Sequence, residues 1–462
     1  MSLFPCGKGL CGKGTGIIMK KGWMLFLIMA LLAGLTACGK QEEGTAQTSG
    51  REESEAEKDV DKEPVTIRFW NGWTGKDGEL LKEMVALYNE KNEDNVTVEM
   101  DIMEFSVLEE KMNMAIASGT NPEMHIGAAV GDYAKDGIYI PIDGIWEATD
   151  LEKEDFDEEI LNNNYYEGKL YGMPFQISPT YLFWNKEVFR KAGLDPEKPP
   201  KTWQELVEFS DRIENPAENI VGGGFYYANH NTIGSMMVSM GGGVISADNK
   251  NLLTAPECVE GNLKALELYK RYVDGGETRR YSDADYQNMF LANTCAMLTS
   301  GSWFAASCEE NGVDYGLSLL PAGDKGISMC GWPLSICIMK NTEGRKLEAC
   351  YSFLEFWNDN LHNKIMGEGM SPAYRWTEMG YQPYLKSLSD DEALNENPLF
   401  AVTSSYTEYY DPYYPGTFLE STALCYDALV PMFENITFDE MGVEEALQEC
   451  SDFMDGILED MD

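Results

Sequence analysis

His125, His230 and His362 are the chain's only histidines, and no two stand at a spacing that presents a zinc pair on one helix face. There is no H-E-x-x-H segment and no G-x-S-x-G elbow to expose a serine nucleophile. A G-x-x-x-x-G-K-[ST] loop to cradle nucleotide phosphates is also lacking. Gly7, Gly9 and Gly12 spell a literal G-x-G-x-x-G. A dinucleotide fingerprint needs a strand before it and a helix after it, and neither reads there. A glycosidase needs two carboxylates a few ångströms apart, and among 78 acidic residues sequence singles out no pair. The expectation is a protein with no catalytic residues, no metal and no cofactor.

Aromatic residues at strand ends are plentiful, with 10 Trp and 24 Tyr in all. Ring faces with carboxylates and amides beside them suit a ligand that carries C–H faces and in-plane hydroxyls, as a sugar does. Val65–Trp70 alternates like a strand and breaks at Asn71-Gly72, which Trp70 and Trp73 flank. Leu80–Glu90 carries a helical apolar face, and Val96–Ile102 is a second strand with Glu104 just beyond it. Leu108–Ala117 is a second helix, closed by Gly119 as C-cap, and Met124–Gly127 a third strand with Asp132 shortly after. Strand–helix–strand–helix–strand predicts a parallel α/β sheet whose ligands sit at the carboxyl ends of its strands. Trp70, Trp73, Glu104 and Asp132 share that address, with core packing or plain surface exposure as the alternative for each.

Farther on, a second block begins at Leu170–Phe175 and continues through Tyr181–Phe189 to the Pro-rich turn Leu194–Pro200, after which Thr202 caps a helix from Trp203. Helical periodicity returns in Gly234–Met240, Ala255–Val273 and Arg345–Asn360, with strands at Ala296–Thr299, Tyr315–Leu320 and Leu334–Met339. Trp146, Trp203, Trp357 and Trp376 lie in helical or capping contexts and read as packing residues.

Lys20-Lys21 precede the apolar run Gly22–Ala33, which is followed by the small residues around Ala37-Cys38. A basic flank, a short apolar stretch and a small-residue end make a secretory signal peptide, too short for a comfortable membrane span. Residues 1–37 are read as that leader, with Met19 as the natural start and 1–18 upstream of it. Leu35-Thr-Ala-Cys38 resembles the bacterial lipobox, which implies acylation of Cys38 as the mature N-terminus. Residues 38–63 are acidic and free of aromatics, and read as a flexible tether.

Against 35 Lys and Arg stand 78 Asp and Glu, a formal charge of −43, which argues against nucleic acid as a partner. The 11 cysteines form no C-x-x-C pair, and eight of them follow the tether. A chain long enough for two large cores does not need staples, so buried free thiols are expected.

Several ordered segments resemble the family-one extracellular solute-binding proteins, the group of maltose-binding protein. They are Ala117–Glu123, Gly168–Pro174, Leu182–Lys186, Pro200–Leu206, Ala296–Trp303, Leu319–Gly323 and Ser371–Arg375. The resemblance runs from about Val65 to about Arg375 and fades beyond. It implies a two-lobe, type II periplasmic-binding-protein-like fold with the ligand cleft between lobes joined by a hinge. The N-lobe would comprise 64–174 and 324–370, and the C-lobe 175–323 and 371–462. A hinge near Tyr171–Ser178 would place Gln176 within it.

The same resemblance implies Trp303 as a stacking residue after Ser300-Gly301-Ser302, and Trp332 at the strand returning to the N-lobe. It also implies Asn229 and Asn231 at the crevice and Arg375 in a late Pro-x-Arg element. In function it implies a monomer, anchored by lipid to the outer face of the bacterial membrane. Such a protein captures a carbohydrate and hands it to the permease subunits of an ABC transporter. Alternatives are a non-sugar solute such as a polyamine or metal complex, a sensor-coupled binding protein, or a secreted glycosidase.

Overall fold

The computed structural model describes residues 62–128, 130–246, 249–410 and 423–459. The leader, the lipidation site Cys38 and most of the tether lie outside the described residues. Among the described residues no helix is long and apolar enough to cross a membrane.

Eleven strands are described: β1 Val65–Asn71, β2 Val96–Ile102, β3 Met124–Gly127, β4 Tyr165–Tyr166, β5 Lys169–Leu170 and β6 Gly172–Pro179, then β7 Tyr181–Asn185, β8 Val221–Gly224, β9 Cys295–Ser300, β10 Tyr315–Ser318 and β11 Gly331–Ile338. The first sheet runs β2-β1-β3-β11-β6, the second β10-β7-β9-β8, and β4-β5 is a hairpin. β1 is parallel to β2 and β3, as its alternation and the helices between the strands predict. β11 joins antiparallel to β3 and β6, so the sheet is mixed rather than wholly parallel. In the second sheet β8 and β9 are parallel, and β7 runs antiparallel to β9 and β10.

Local chemistry explains most boundaries. In β1, Ile67 and Phe69 are fully buried while Arg68 reaches the edge. There the Arg68 N–H groups and Lys346 converge on the buried Glu123 carboxylate, with Lys346 Nζ at 2.6 Å. Burial acts to raise that carboxyl, but the hydrogen bonds from Lys346 and Arg68 outweigh it and hold Glu123 below the usual range. The helix Phe105–Ser118 ends on Gly119 at φ +70°, the left-handed C-cap expected of it. Thr202 accepts the Glu205 N–H at 3.2 Å and starts Trp203–Ile213, which buries Trp203, Leu206, Val207 and Ile213. All eight described cysteines are free thiols, seven of them buried.

Two neighbouring crossovers join the sheets. β6 passes through Thr180 into β7, and β11 returns beside it, with Gly331 paired to Pro179. This shifts the expected boundaries. β6 stays in the first sheet to Pro179, beyond residue 174. Residues 324–330 pack on the second lobe, where the Lys325 N–H donates to the Ser239 carbonyl.

The helix Pro372–Glu378, expected in the second lobe, packs on the first. Its Trp376 lies against Phe175, Trp357 and Trp73, and the Tyr381 hydroxyl donates to Asp77 at 3.0 Å. The apolar face of that short helix fits the aromatic cluster beneath β6, a pairing no local pattern announces. Lys62 and Glu63, read as tether, are held by contacts to Asp94, Asn95 and Arg345.

Candidate functional site

The carboxyl ends of β1, β2 and β3 and those of β8 and β9 are where α/β sheets hold ligands. The helix Lys76–Lys91 follows β1, and the helix Phe304–Glu310 follows β9. Lys76 and Glu310 join them at 2.5 Å, so these helices meet across the two lobes.

Trp303, expected as a stacking residue, stands just beyond the carboxyl end of β9. It is the N-cap of Phe304–Glu310 and remains 41% exposed, while the neighbouring Phe304 and Ala305 are buried. Its indole lies across Gly301: a Cβ there would overlap the six-membered ring. Glycine at 301 thus admits the close approach of the indole, and its backbone angle is not what favours glycine there.

Asn229 and Asn231 separate in role. Asn229 caps the helix His230–Ser239, its Oδ1 accepting the Thr232 N–H and its Nδ2 donating to Thr299 Oγ1, both at 3.2 Å. Thr232 in turn bonds to Thr180 at 2.9 Å, so this first helical turn is fixed to β9 and to the crossover. Asn229 is therefore a positioning residue. Asn231 is half-buried, and its Oδ1 is buried without a hydrogen-bond partner, an acceptor awaiting a donor.

On the first lobe, structure and expectation diverge. Trp70 is 5% exposed and packs with Leu108, Met112, Val130, Tyr139 and Met339, with Lys111 Nζ 3.8 Å from its ring centre. Trp73 is equally buried, edge-on to Phe175 and Trp376. Neither offers a free ring face: Trp70 is covered by Leu108 and Met112 of the helix after β2, and Trp73 by Phe175 and Trp376. Gln176 accepts the Trp376 indole N–H at 3.2 Å and ties β6 to Pro372–Glu378. Arg375, on that helix, pairs with Glu378 at 3.0 Å and is half-exposed. Glu104 is exposed at the start of Phe105–Ser118, and Asp132 is half-buried in the first turn of Val130–Lys135. Trp332 pairs through its backbone with Ser178 across the crossover strands, and its side chain lies outside the described residues.

Three residues near the second lobe's strand ends, Tyr226, Asp283 and Tyr426, escape the sequence reading and join His230, which lies between the two expected crevice asparagines. Tyr226 follows β8, His230 opens the next helix, Asp283 opens the helix Asp283–Leu291, and Tyr426 stands edge-on to His230 at 5.4 Å. Burial holds His230 down to about 4, so its imidazole is neutral at pH 7. Burial raises the Tyr226 phenol, with the Asp283 and Tyr426 charges adding to the effect. Burial also raises Asp283, against a hydrogen bond from Gln287. Of these, only His230 adjoins residues that sequence flagged, and nothing local ties it to Tyr426.

A cavity of about 330 Å³ lies elsewhere, between Lys76–Lys91 and Arg345–Asn358. It opens at the amino ends of β1 and β2, where Tyr88, Ser352 and Asp94 already form a hydrogen-bonded chain. That is the wrong end of the sheet for a ligand of this fold.

The family of bacterial extracellular solute-binding proteins matches residues 83–402. A binding protein of Brucella abortus is 27% identical over 304 residues, 62% of this chain and 69% of that protein. The sn-glycerol-3-phosphate-binding periplasmic protein of Brucella abortus is 27% identical over 279 residues, covering 55% of this chain and 61% of its own length. Among solved structures, UgpB of Mycobacterium tuberculosis in complex with glycerophosphocholine superposes with TM-score 0.73 at 18% identity, over 86% of this chain and all of that one. The cyclic α-maltosyl-1,6-maltose binding protein of Arthrobacter globiformis does so with TM-score 0.70 at 20% identity and the same coverage. The two sheets, their paired crossovers and this match establish the two-lobe binding-protein fold. The chain belongs to the bacterial extracellular solute-binding proteins.

Proposed function

We propose that this protein captures a sugar or oligosaccharide outside the cytoplasm and delivers it to the permease of an ABC importer. In this reading it is tethered to the membrane through a lipid on Cys38 and catalyses nothing itself. The observation that carries it is the exposed Trp303 indole spread over Gly301 at the end of β9. An aromatic face left half-open at a strand end suits the C–H face of a sugar ring.

The groups that follow β8 and open the neighbouring helices favour a neutral ligand. Asn231 and Tyr226 are uncharged, His230 is held neutral, and Asp283 would repel a phosphate. The glycerol phosphate relative supports the second reading, a glycerophosphodiester ligand. A thermal-shift screen with maltotriose, mannobiose, tagatose and glycerophosphocholine separates the two. A ligand at about 100 times its Kd adds about 2.7 kcal/mol of stability. A shift with a saccharide supports the proposal, and a shift with glycerophosphocholine alone overturns the sugar assignment.

A further inference from the structure

We infer that Tyr426 is a specificity-determining ligand contact, supplied by a part of the chain beyond the segment matched to the family. The inference rests on the sugar-capture reading and goes further, placing a second aromatic platform against His230, in the neighbourhood of Asn231 and Asp283. The family match ends at residue 402, and Tyr426 lies in the π-helix Ala423–Leu429. Leu424, Cys425, Ala428 and Leu429 are buried and anchor that helix, while Tyr426 is 54% exposed. Tyr426 and Asp427 form the outward face of this turn, and π-helical turns are frequent at functional sites.

A single exposed tyrosine is ordinary on a protein surface. The address of this one is not. Its ring meets the buried His230 edge-on at 73°, so an aromatic contact holds its orientation. His230 opens the helix whose first turn is tied to Thr299 at the end of β9 and to Thr180 in the crossover. Tyr426 is therefore registered to the strand ends and to the hinge, not to a free surface. The Asp283 carboxylate lies close enough to act on Tyr226 together with Tyr426. Asn231 Oδ1 is buried without a partner one residue beyond His230.

A ring face with a carboxylate and an amide oxygen nearby accepts a neutral pyranose, face against the ring and hydroxyls donated to the oxygens. Tyr426 would then decide which saccharides fit, since the residues that fix the lobes do not include it.

The test uses the mature protein and whichever of maltotriose, mannobiose and tagatose shifts its melting temperature most, with affinity measured by calorimetry. Tyr426→Ala should weaken binding by about 10- to 100-fold with little change in melting temperature. Tyr426→Phe should stay within about threefold, because the ring face persists. Phe453→Ala, an equally exposed aromatic on the terminal helix, is the control and should bind like wild type. Full affinity in Tyr426→Ala, with wild type binding, overturns the platform and leaves sugar capture standing. If Tyr426→Ala loses stability as well, Tyr426→Leu decides: it keeps apolar volume without a ring face, and wild-type affinity there overturns the inference. If wild type binds none of the saccharides, the sugar-capture reading falls and this inference with it.

Discussion

Gly301→Ala tests the Trp303 platform without removing the tryptophan. Gly301 does not have a positive φ, so alanine is compatible with its backbone. The new methyl would overlap the Trp303 ring, which must retreat to an ordinary carbon contact, a displacement of roughly 2 Å. Trp303 is 41% exposed, so it has solvent to swing into. The folding cost is then about that of an off-rotamer side chain, ~0.5–1.5 kcal/mol.

A platform moved by that distance no longer stacks on a ligand placed for the original face. The binding cost should approach that of truncating a central aromatic, about 2–4 kcal/mol. That corresponds to roughly 30- to 1000-fold in Kd. Calorimetry with the saccharide found by the thermal screen measures the affinity, and tryptophan fluorescence reports the ring's movement. The cycle with Trp303→Ala is the decisive control: once the ring is gone, adding Gly301→Ala should change binding little. Wild-type affinity in both single variants would remove Trp303 from the site. A further loss on adding Gly301→Ala to Trp303→Ala would show that residue 301 acts through something other than the ring.

Other consequences are simpler to check. Glu310→Gln removes the ion pair with Lys76 that joins the lobes, and should weaken ligand binding slightly at low salt and not at high salt, as read by affinity across ionic strength. His125 is fully buried beside Tyr139 and held at about 4, whereas an unfolded imidazole takes up its proton at about 6.5. Between those values the unfolded state binds the extra proton, so its contribution to stability falls as pH drops from about 6.5 to 4, by on the order of 3 kcal/mol. Denaturant titrations of wild type and His125→Gln across that window should show the variant with the flatter profile. Cys38→Ala should abolish lipid attachment by intact mass. Deleting residues 42–60 should leave the melting temperature nearly unchanged, because that acidic, aromatic-free stretch carries too little apolar surface to pack on the fold.

Local chemistry was legible in the residue order. Alternation marked β1, Thr202 marked the start of Trp203–Ile213, and Gly119 marked the end of Phe105–Ser118. Each depends on neighbours within a few positions. The family resemblance supplied the two-lobe plan, and the loop after β9 supplied Trp303.

Which aromatic rings stay open was not legible, because burial is decided by partners remote in sequence. Trp70 and Trp73 share a strand end and both are covered, one by Leu108 and Met112, the other by Phe175 and Trp376. The same holds for the lobe boundary. Trp376 donates to Gln176 across 200 positions, and that bond holds Pro372–Glu378 on the first lobe. Tyr426 reaches His230 only once the chain's last third folds over the second sheet. Periodicity and capping act within a turn or two of backbone, while an open ring face is whatever surface the packing of distant segments leaves uncovered.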